Sequence, residues 1–333
     1  MATYIIRRLI FGAALIFLST ILSFAIFKAS PGADIVVDDP TVSREYIEQQ
    51  RRIAGVDRPG WQQYCNWIGV SWFFKPRADN RGLLQGSLGR SYRFNLPVSK
   101  MLASRLPATL VLNLVTLLFT WMLAIPLGTY AALKQYRLSD KAITLFSFIG
   151  MSLPGFFLAL VLLWLFASKV HWLPPGGLRD QLHHEEMTAA QQLLDYLRHL
   201  IVPVVVLTFA ALAGLQRITR GSVLETLRLQ YVVTARAKGL NEKKVIFKHV
   251  LRNAINPLVT ILGFEFASLF GGAALLEVVI NFPGMGQLLL EALYMKDRDL
   301  VMAIFLIGSI MLVLGNLIGE IMLAWVDPRI SHA

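Results

Sequence analysis

The sequence predicts an all-α membrane protein with six transmembrane helices, and three observations carry that prediction. Of 333 residues, 55% are hydrophobic and 16% charged, with a mean hydropathy of +0.56; a soluble domain carries about 25% charged residues. Six stretches are apolar enough to cross a bilayer, which takes about 20 residues of helix. None alternates with period two as barrel strands do, and backbone groups in lipid must bond within their own segment. A solvated globular enzyme, a disordered chain and a nucleic-acid-binding domain are excluded on the same grounds. The lone cysteine, Cys65, excludes an intramolecular disulfide and a cysteine-based zinc site. The net charge of +11 reads, in a membrane protein, as loop-orienting charge that meets anionic lipid.

The spans follow in order. Leu9 to Phe27 has 19 residues and no charge. Its apolar core exceeds the roughly 7–15 residues of a signal peptide and no A-x-A-like site follows, so it is an uncleaved anchor. Leu106 to Leu133 runs 28 residues and Ala142 to Ser168 runs 27, both uncharged. Leu200 to Leu215 is shorter, at 16. Ala254 to Ile280 runs 27 and holds Glu265 and Glu277. Leu300 to Val326 runs 27 and holds Glu320. The expected divisions are an anchor at 1–29, an extracytoplasmic insert at 30–105 and a membrane core at 106–333.

Loop charge sets the orientation. Loop 134–141 carries three basic residues, and loop 216–253 carries nine against two acids. Loops 169–199 and 281–299 each hold more acids than bases. The basic loops stay inside, which puts both termini in the cytoplasm. Segment 28–105 carries twelve Lys/Arg, but long segments translocate largely regardless of charge. It is also too long for a connector. It contains Trp61, Trp67, Trp72 and a helical pattern from Ser43 to Ile53, so a folded insert is expected. In the second outer loop, Pro174 to Gly177 marks a turn and Thr188 to His199 a short helix.

Loop 216–253 holds the most informative segment. Residues Gln230 to Lys238 read as a helix, Gly239 as its stop and Asn241 as the cap of a second helix. Phe247, Val250, Leu251 and Ala254 fall at i, i+3, i+4, i+7 and predict one apolar face. Lys244, Lys248 and Arg252 predict a basic face. A hinged amphipathic pair between two spans suits docking to a cytosolic protein; a helix lying on anionic lipid is the competing reading.

The run Thr234-Ala235-Arg236-Ala237-Lys238-Gly239-Leu240, then His249-Val250-Leu251-Arg252-Asn253, resembles the cytoplasmic motif of permease subunits of dipeptide/oligopeptide ATP-binding-cassette importers. The generic Glu-Ala-Ala motif of such importers departs here at its Glu and Pro positions. Further motifs match in order. They are Gly55 to Pro59, Gly86-Ser87-Leu88-Gly89-Arg90-Ser91, Asn281 to Gly286, Asp297-Arg298-Asp299 and Asp327-Pro328-Arg329. Ser87 stands where the family usually has an acid. The early motifs resemble the B-type permease.

The resemblance implies a type I ABC importer transmembrane domain with an extracytoplasmic insert after the first helix. It implies transport of di- or oligopeptides by alternating access across the inner membrane. Implied ATPase-coupling residues are Tyr231, Thr234, Ala235, Arg236, Ala237, Lys238, Gly239, Leu240, Val245, His249, Val250, Leu251, Arg252 and Asn253. Of these Ala235, Gly239, Val250 and Leu251 are the expected packing residues. Implied partners are a second homologous permease, one or two ABC ATPases, an extracytoplasmic substrate-binding protein and the lipid bilayer, with no nucleic acid. No G-x-x-x-x-G-K-[ST] loop occurs, so ATP and Mg²⁺ belong to a partner and this chain needs no cofactor and is not an enzyme.

Acids inside spans cost about 2.5–3.5 kcal/mol on insertion scales, which makes Glu265, Glu277 and Glu320 pathway candidates together with Asn316. Bonding to a neighbouring helix is their structural reading. Trp61, Trp67, Trp72, Gly86 and Gly89 are candidates for contact with the binding protein. His183-His184-Glu185-Glu186 reads as a solvated loop rather than a metal site. The alternative function is a secondary transporter or channel working alone through the acids, which would call for inverted repeats that the sequence lacks. An intramembrane hydrolase would need a paired catalytic set, also missing.

Overall fold

The computed structural model describes residues 2–30, 43–70, 82–91, 93–268 and 273–326. Trp72 and the Asp327-Pro328-Arg329 motif lie outside the described residues. The described chain is helical, and among these residues the only strand-like pairing is a bridge from Arg90 to Pro97. Four helices are long and apolar enough to cross a membrane, and a bent pair makes a fifth. This is the all-α membrane fold that the composition requires.

The helices form two compact units. The first comprises residues 1–108, 270–274 and 284–313. It contains α1 (Ala2–Ala29), α2 (Arg44–Ala54) and α3 (Gly60–Ile68). A 3₁₀ turn, the start of α4 (Val98–Leu133), α13 (Met285–Tyr294) and the start of α14 (Arg298–Val326) complete it. The uncharged middle of α1, Leu9 to Phe27, presents Ile10, Leu15 and Ile26 outward, as lipid-facing side chains must be. Its opposite side carries Phe24, which packs with Trp67, Met302 and Leu306. Thr20 Oγ1 and Tyr64 OH share a hydrogen bond of 2.8 Å. The insert is therefore folded onto the anchor. Trp67 is only 6% exposed. It is corrected from a surface contact to a core residue, because its indole fills the space between α1 and α14.

The second unit comprises residues 109–269, 275–283 and 314–333. It contains most of α4, α5 (Leu138–Ser152) and α6 (Gly155–Leu162) with a π-helical extension Leu163–Lys169. It continues through α7 (Ala189–Leu227), α8 (Gln230–Ala237), α9 (Glu242–Lys244), a π-helical run Val245–Val250 and α10 (Leu251–Ala254). α11 (Asn256–Ser268) and α12 (Ala274–Val279) follow. The third apolar stretch is not one rod: its halves meet at 100°, at Leu153-Pro154. The fifth stretch is carried by α11 and α12. The expected outer helix and fourth span are instead one 39-residue helix, α7. No stop separates them, and the helix runs through Pro203 because one missing N–H does not break a rod packed on its neighbours. α7 begins where Gln191 Oε1 accepts from Thr188 N at 2.9 Å.

Candidate docking loop and membrane carboxylates

α8 ends because Gly239 adopts φ +73°. Gly239 N donates to Arg236 O at 2.9 Å and Leu240 N to Ala235 O at 3.4 Å, a left-handed helix stop of the Schellman kind. Asn241 Oδ1 then accepts from Lys243 N at 2.9 Å and starts the second helical segment. Across the turn Arg236 Nη2 meets Glu242 Oε1 at 2.6 Å. Both are solvent-exposed, so the pair adds little beyond fixing the turn.

The loop is anchored from within. Val232, Ala235, Val245, Val250 and Ala254 form one buried cluster with Ala132 of α4 and Val223 of α7, and Leu240 and Leu251 pack against it. Val232, Val245 and Val250 are 0% exposed. Ala235 and Val250 thus hold the loop to its own chain and offer no surface to a partner. Tyr231, Thr234, Arg236, Ala237, Lys238, Gly239, Arg252 and Asn253 are exposed and His249 is half-buried. Asn253 Nδ2 donates to Tyr231 OH at 2.8 Å and to His249 O at 3.0 Å, which clamps the two segments together.

The expected apolar face is split. Val250 and Ala254 point inward, while Phe247 is 71% exposed. The cause is the π-helical run Val245–Val250: its hydrogen bonds close five residues back instead of four, which rotates the register. Phe247 stands outward beside Lys244, Lys248 and Arg252, all exposed. The outcome is a basic surface with one protruding ring.

The pathway candidates fall on α11, α12 and α14. Glu265 Oε2 accepts from Trp121 Nε1 at 2.6 Å. Trp121 was not singled out by the sequence; a span Trp usually reads as an interface anchor. Glu277 is 0% exposed, and Phe282 N donates to its backbone carbonyl at 2.7 Å. Asn316 and Glu320 are half-buried on α14. Asn316 and Glu320, at i and i+4, share one face of α14.

In the first unit the sequence motifs converge. Ser91 Oγ donates to Asp297 Oδ2, and Asp297 Oδ1 caps α14 through Leu300 N at 3.2 Å. Burial pushes the Asp297 carboxyl above its usual range, with the Ser91 hydrogen bond opposing. Arg298 donates to Asp299 Oδ1 at 3.1 Å and to Gln63 Oε1 at 2.8 Å. Gln63 Nε2 in turn donates to Val56 O and Arg58 O at 3.0 and 2.8 Å. So Gly55–Pro59, Gly86–Ser91 and Asp297–Asp299 are parts of one clamp, and Gln63, which carries no motif signal, is its hub. Gly89 (φ +87°) sits where a Cβ would lie 2.7 Å from Asp299 Oδ2, whereas Gly86 (φ +78°) faces open space. Gly89→Ala is expected to lower stability by about 1–3 kcal/mol and Gly86→Ala by no more than the backbone strain of about 1–2 kcal/mol. Thermal unfolding of the purified variants compares them. Trp61 is 60% exposed.

His184 departs from the solvated-loop reading. It is buried, with Nδ1 2.7 Å from Asp195 Oδ2, while His183, Glu185 and Glu186 are exposed. Among the described residues no group of three or more His, Cys, Asp or Glu is arranged to hold a metal.

Known proteins match this chain along its whole length. Residues 124–332 match the family described as binding-protein-dependent transport system inner membrane component, and residues 1–113 match its N-terminal counterpart. The oligopeptide transport system permease protein AppB of Bacillus subtilis is 38% identical over all of both chains. The dipeptide transport system permease protein DppB of Escherichia coli K12 is 32% identical, covering 100% of this chain and 99% of that one. Among solved structures, the inward-facing MetNI methionine ABC transporter superposes with a TM-score of 0.54 at 18% identity, over 69% of this chain and 97% of that chain. With a family match over most of its length and relatives above 30% identity, the chain belongs to the binding-protein-dependent transport system inner membrane component family.

Proposed function

We propose that this chain is one of two permease subunits of an ATP-driven importer that moves di- or oligopeptides across the cytoplasmic membrane. The observation that carries the reading is the internally anchored, outwardly basic loop 230–254. Its core belongs to the chain itself, so its exposed side is free to seat in another protein. Peptide as the substrate class rests on the names of the oligopeptide and dipeptide relatives. The basic loops favour a cytoplasmic position for both termini.

The loop acts as a lever. An ATPase that seats it and closes on ATP biases the membrane helices between inward-facing and outward-facing arrangements, a two-state element shifted by a partner. ATP and Mg²⁺ are held by that ATPase. An extracytoplasmic binding protein delivers peptide to the outward-facing state. Affinity purification of the chain in mild detergent tests this. The expected result is co-purification of a homologous permease and one or two ABC ATPases. Peptide movement by the chain alone in liposomes, without nucleotide, would overturn it.

A further inference from the structure

A cavity of about 460 Å³ lies between α5 and α7, next to loop 134–141. Its polar lining is unusual for a membrane helix pair: Asp140, Lys141, Ser147, Gln216, Arg217 and Arg220. Asp140 is fully engaged by Arg220, whose Nε and Nη2 both donate to it at 2.8 Å. Lys141 and Arg217 carry no carboxylate partner among the described residues and leave the cavity positive. Gln216 and Ser147 are each 2% exposed, and Gln216 Nε2 and Ser147 Oγ lack a protein hydrogen-bond partner among the described residues. Buried polar groups are rarely left unbonded.

These four unused groups share one property: each donates. Lys and Arg donate only, and so does an amide nitrogen; a hydroxyl can donate. The complementary ligand is an acceptor-rich anion. Beside the basic groups, Leu145 and Phe148 line the same cavity and are 63% and 45% exposed, on a helix of the membrane region. We propose that this cavity binds the phosphate oxyanion of an anionic phospholipid, with its acyl chain along Leu145 and Phe148. Basic pockets between membrane helices on the cytoplasmic side have this chemistry. The cytoplasmic placement rests on the orientation proposed above; the cavity itself does not.

The test uses the full chain in neutral detergent and needs neither ATPase nor transport, so its failure is separable from failure of the importer reading. Native mass spectrometry compares retained phosphatidylglycerol with phosphatidylcholine. The anionic lipid is expected to be retained about tenfold better, as befits charge-assisted hydrogen bonds. Preference should vanish in the Lys141→Gln, Arg217→Gln double variant, whose exposed positions keep the fold, and weaken in Gln216→Leu. Unfolding midpoints establish that both variants are folded. An inorganic phosphate arm identifies the source: displacement of the lipid by phosphate supports the oxyanion site and makes the free ion its occupant. Equal retention of the two lipids, or a preference untouched by the double variant, would overturn the proposal.

Discussion

Replacing Arg220 with alanine should cost about 3–5 kcal/mol of stability, the usual penalty for stripping one partner from a buried ion pair. Asp140 is 3% exposed. It accepts two bonds from the guanidinium and one from Tyr136 N at 2.9 Å. Without Arg220 the carboxylate keeps one donor beside a cavity that Lys141 and Arg217 leave positive, so the loss should fall at the lower end of that range. The pair joins the first turn of α5 to α7, so the loss should appear as early unfolding of that contact. The paired change Asp140→Asn with Arg220→Met should recover most of the loss, because a buried pair is weak evidence of net stabilisation. A double-mutant cycle by chemical unfolding in detergent separates the terms. A loss below about 1 kcal/mol for Arg220→Ala would mean that water already serves the carboxylate.

Phe247→Asp should weaken ATPase association about thirtyfold or more while leaving the chain's own stability unchanged. The ring is exposed, so the fold does not depend on it. A protruding aromatic among basic residues has the character of an interface anchor, and such anchors are worth about 2 kcal/mol or more, some thirtyfold in affinity. Phe247→Ala, which removes the ring without adding a charge, should show most of the effect. Val250→Asp is the contrasting variant. It places a charge in the buried cluster of the loop and should unfold it, lowering the melting temperature as well as association. Full retention of the ATPase by folded Phe247→Asp would exclude this ring from docking.

Much of the fold was legible because its determinants are local. The glycine stop at Gly239 and the Asn241 cap each act within a few residues, and each is found where the sequence puts it. What escaped is non-local or depends on register. The outward turn of Phe247 follows from a π-helical run that an ideal helical period does not contain. Trp67 looked like a surface aromatic because nothing in its neighbourhood says that Phe24 and Met302 enclose it. The motifs at Gly86–Ser91 and Asp297–Asp299 were visible singly. Their union through Ser91, Arg298 and Gln63 joins segments some 200 residues apart. Asp140 was read only as part of a basic loop, since its partner lies 80 positions away. Glu265 was noticed as an anomaly, but its Trp121 partner was not.

The elbow at Leu153-Pro154 has a consequence for biogenesis. Each arm, Leu138–Ser152 and Gly155–Lys169, has 15 residues and reaches about 22 Å, short of the roughly 30 Å of hydrocarbon. Pro154 brings no N–H, so the carbonyl of Gly150 is denied its ordinary donor at the bend. Hydrocarbon cannot supply one. Phe148, Met151, Phe156 and Phe157 flank the bend and are exposed. A nascent chain carrying this elbow is therefore an orphan in pure lipid, and quality-control proteases should degrade it faster when it is expressed without companions than when they are co-translated.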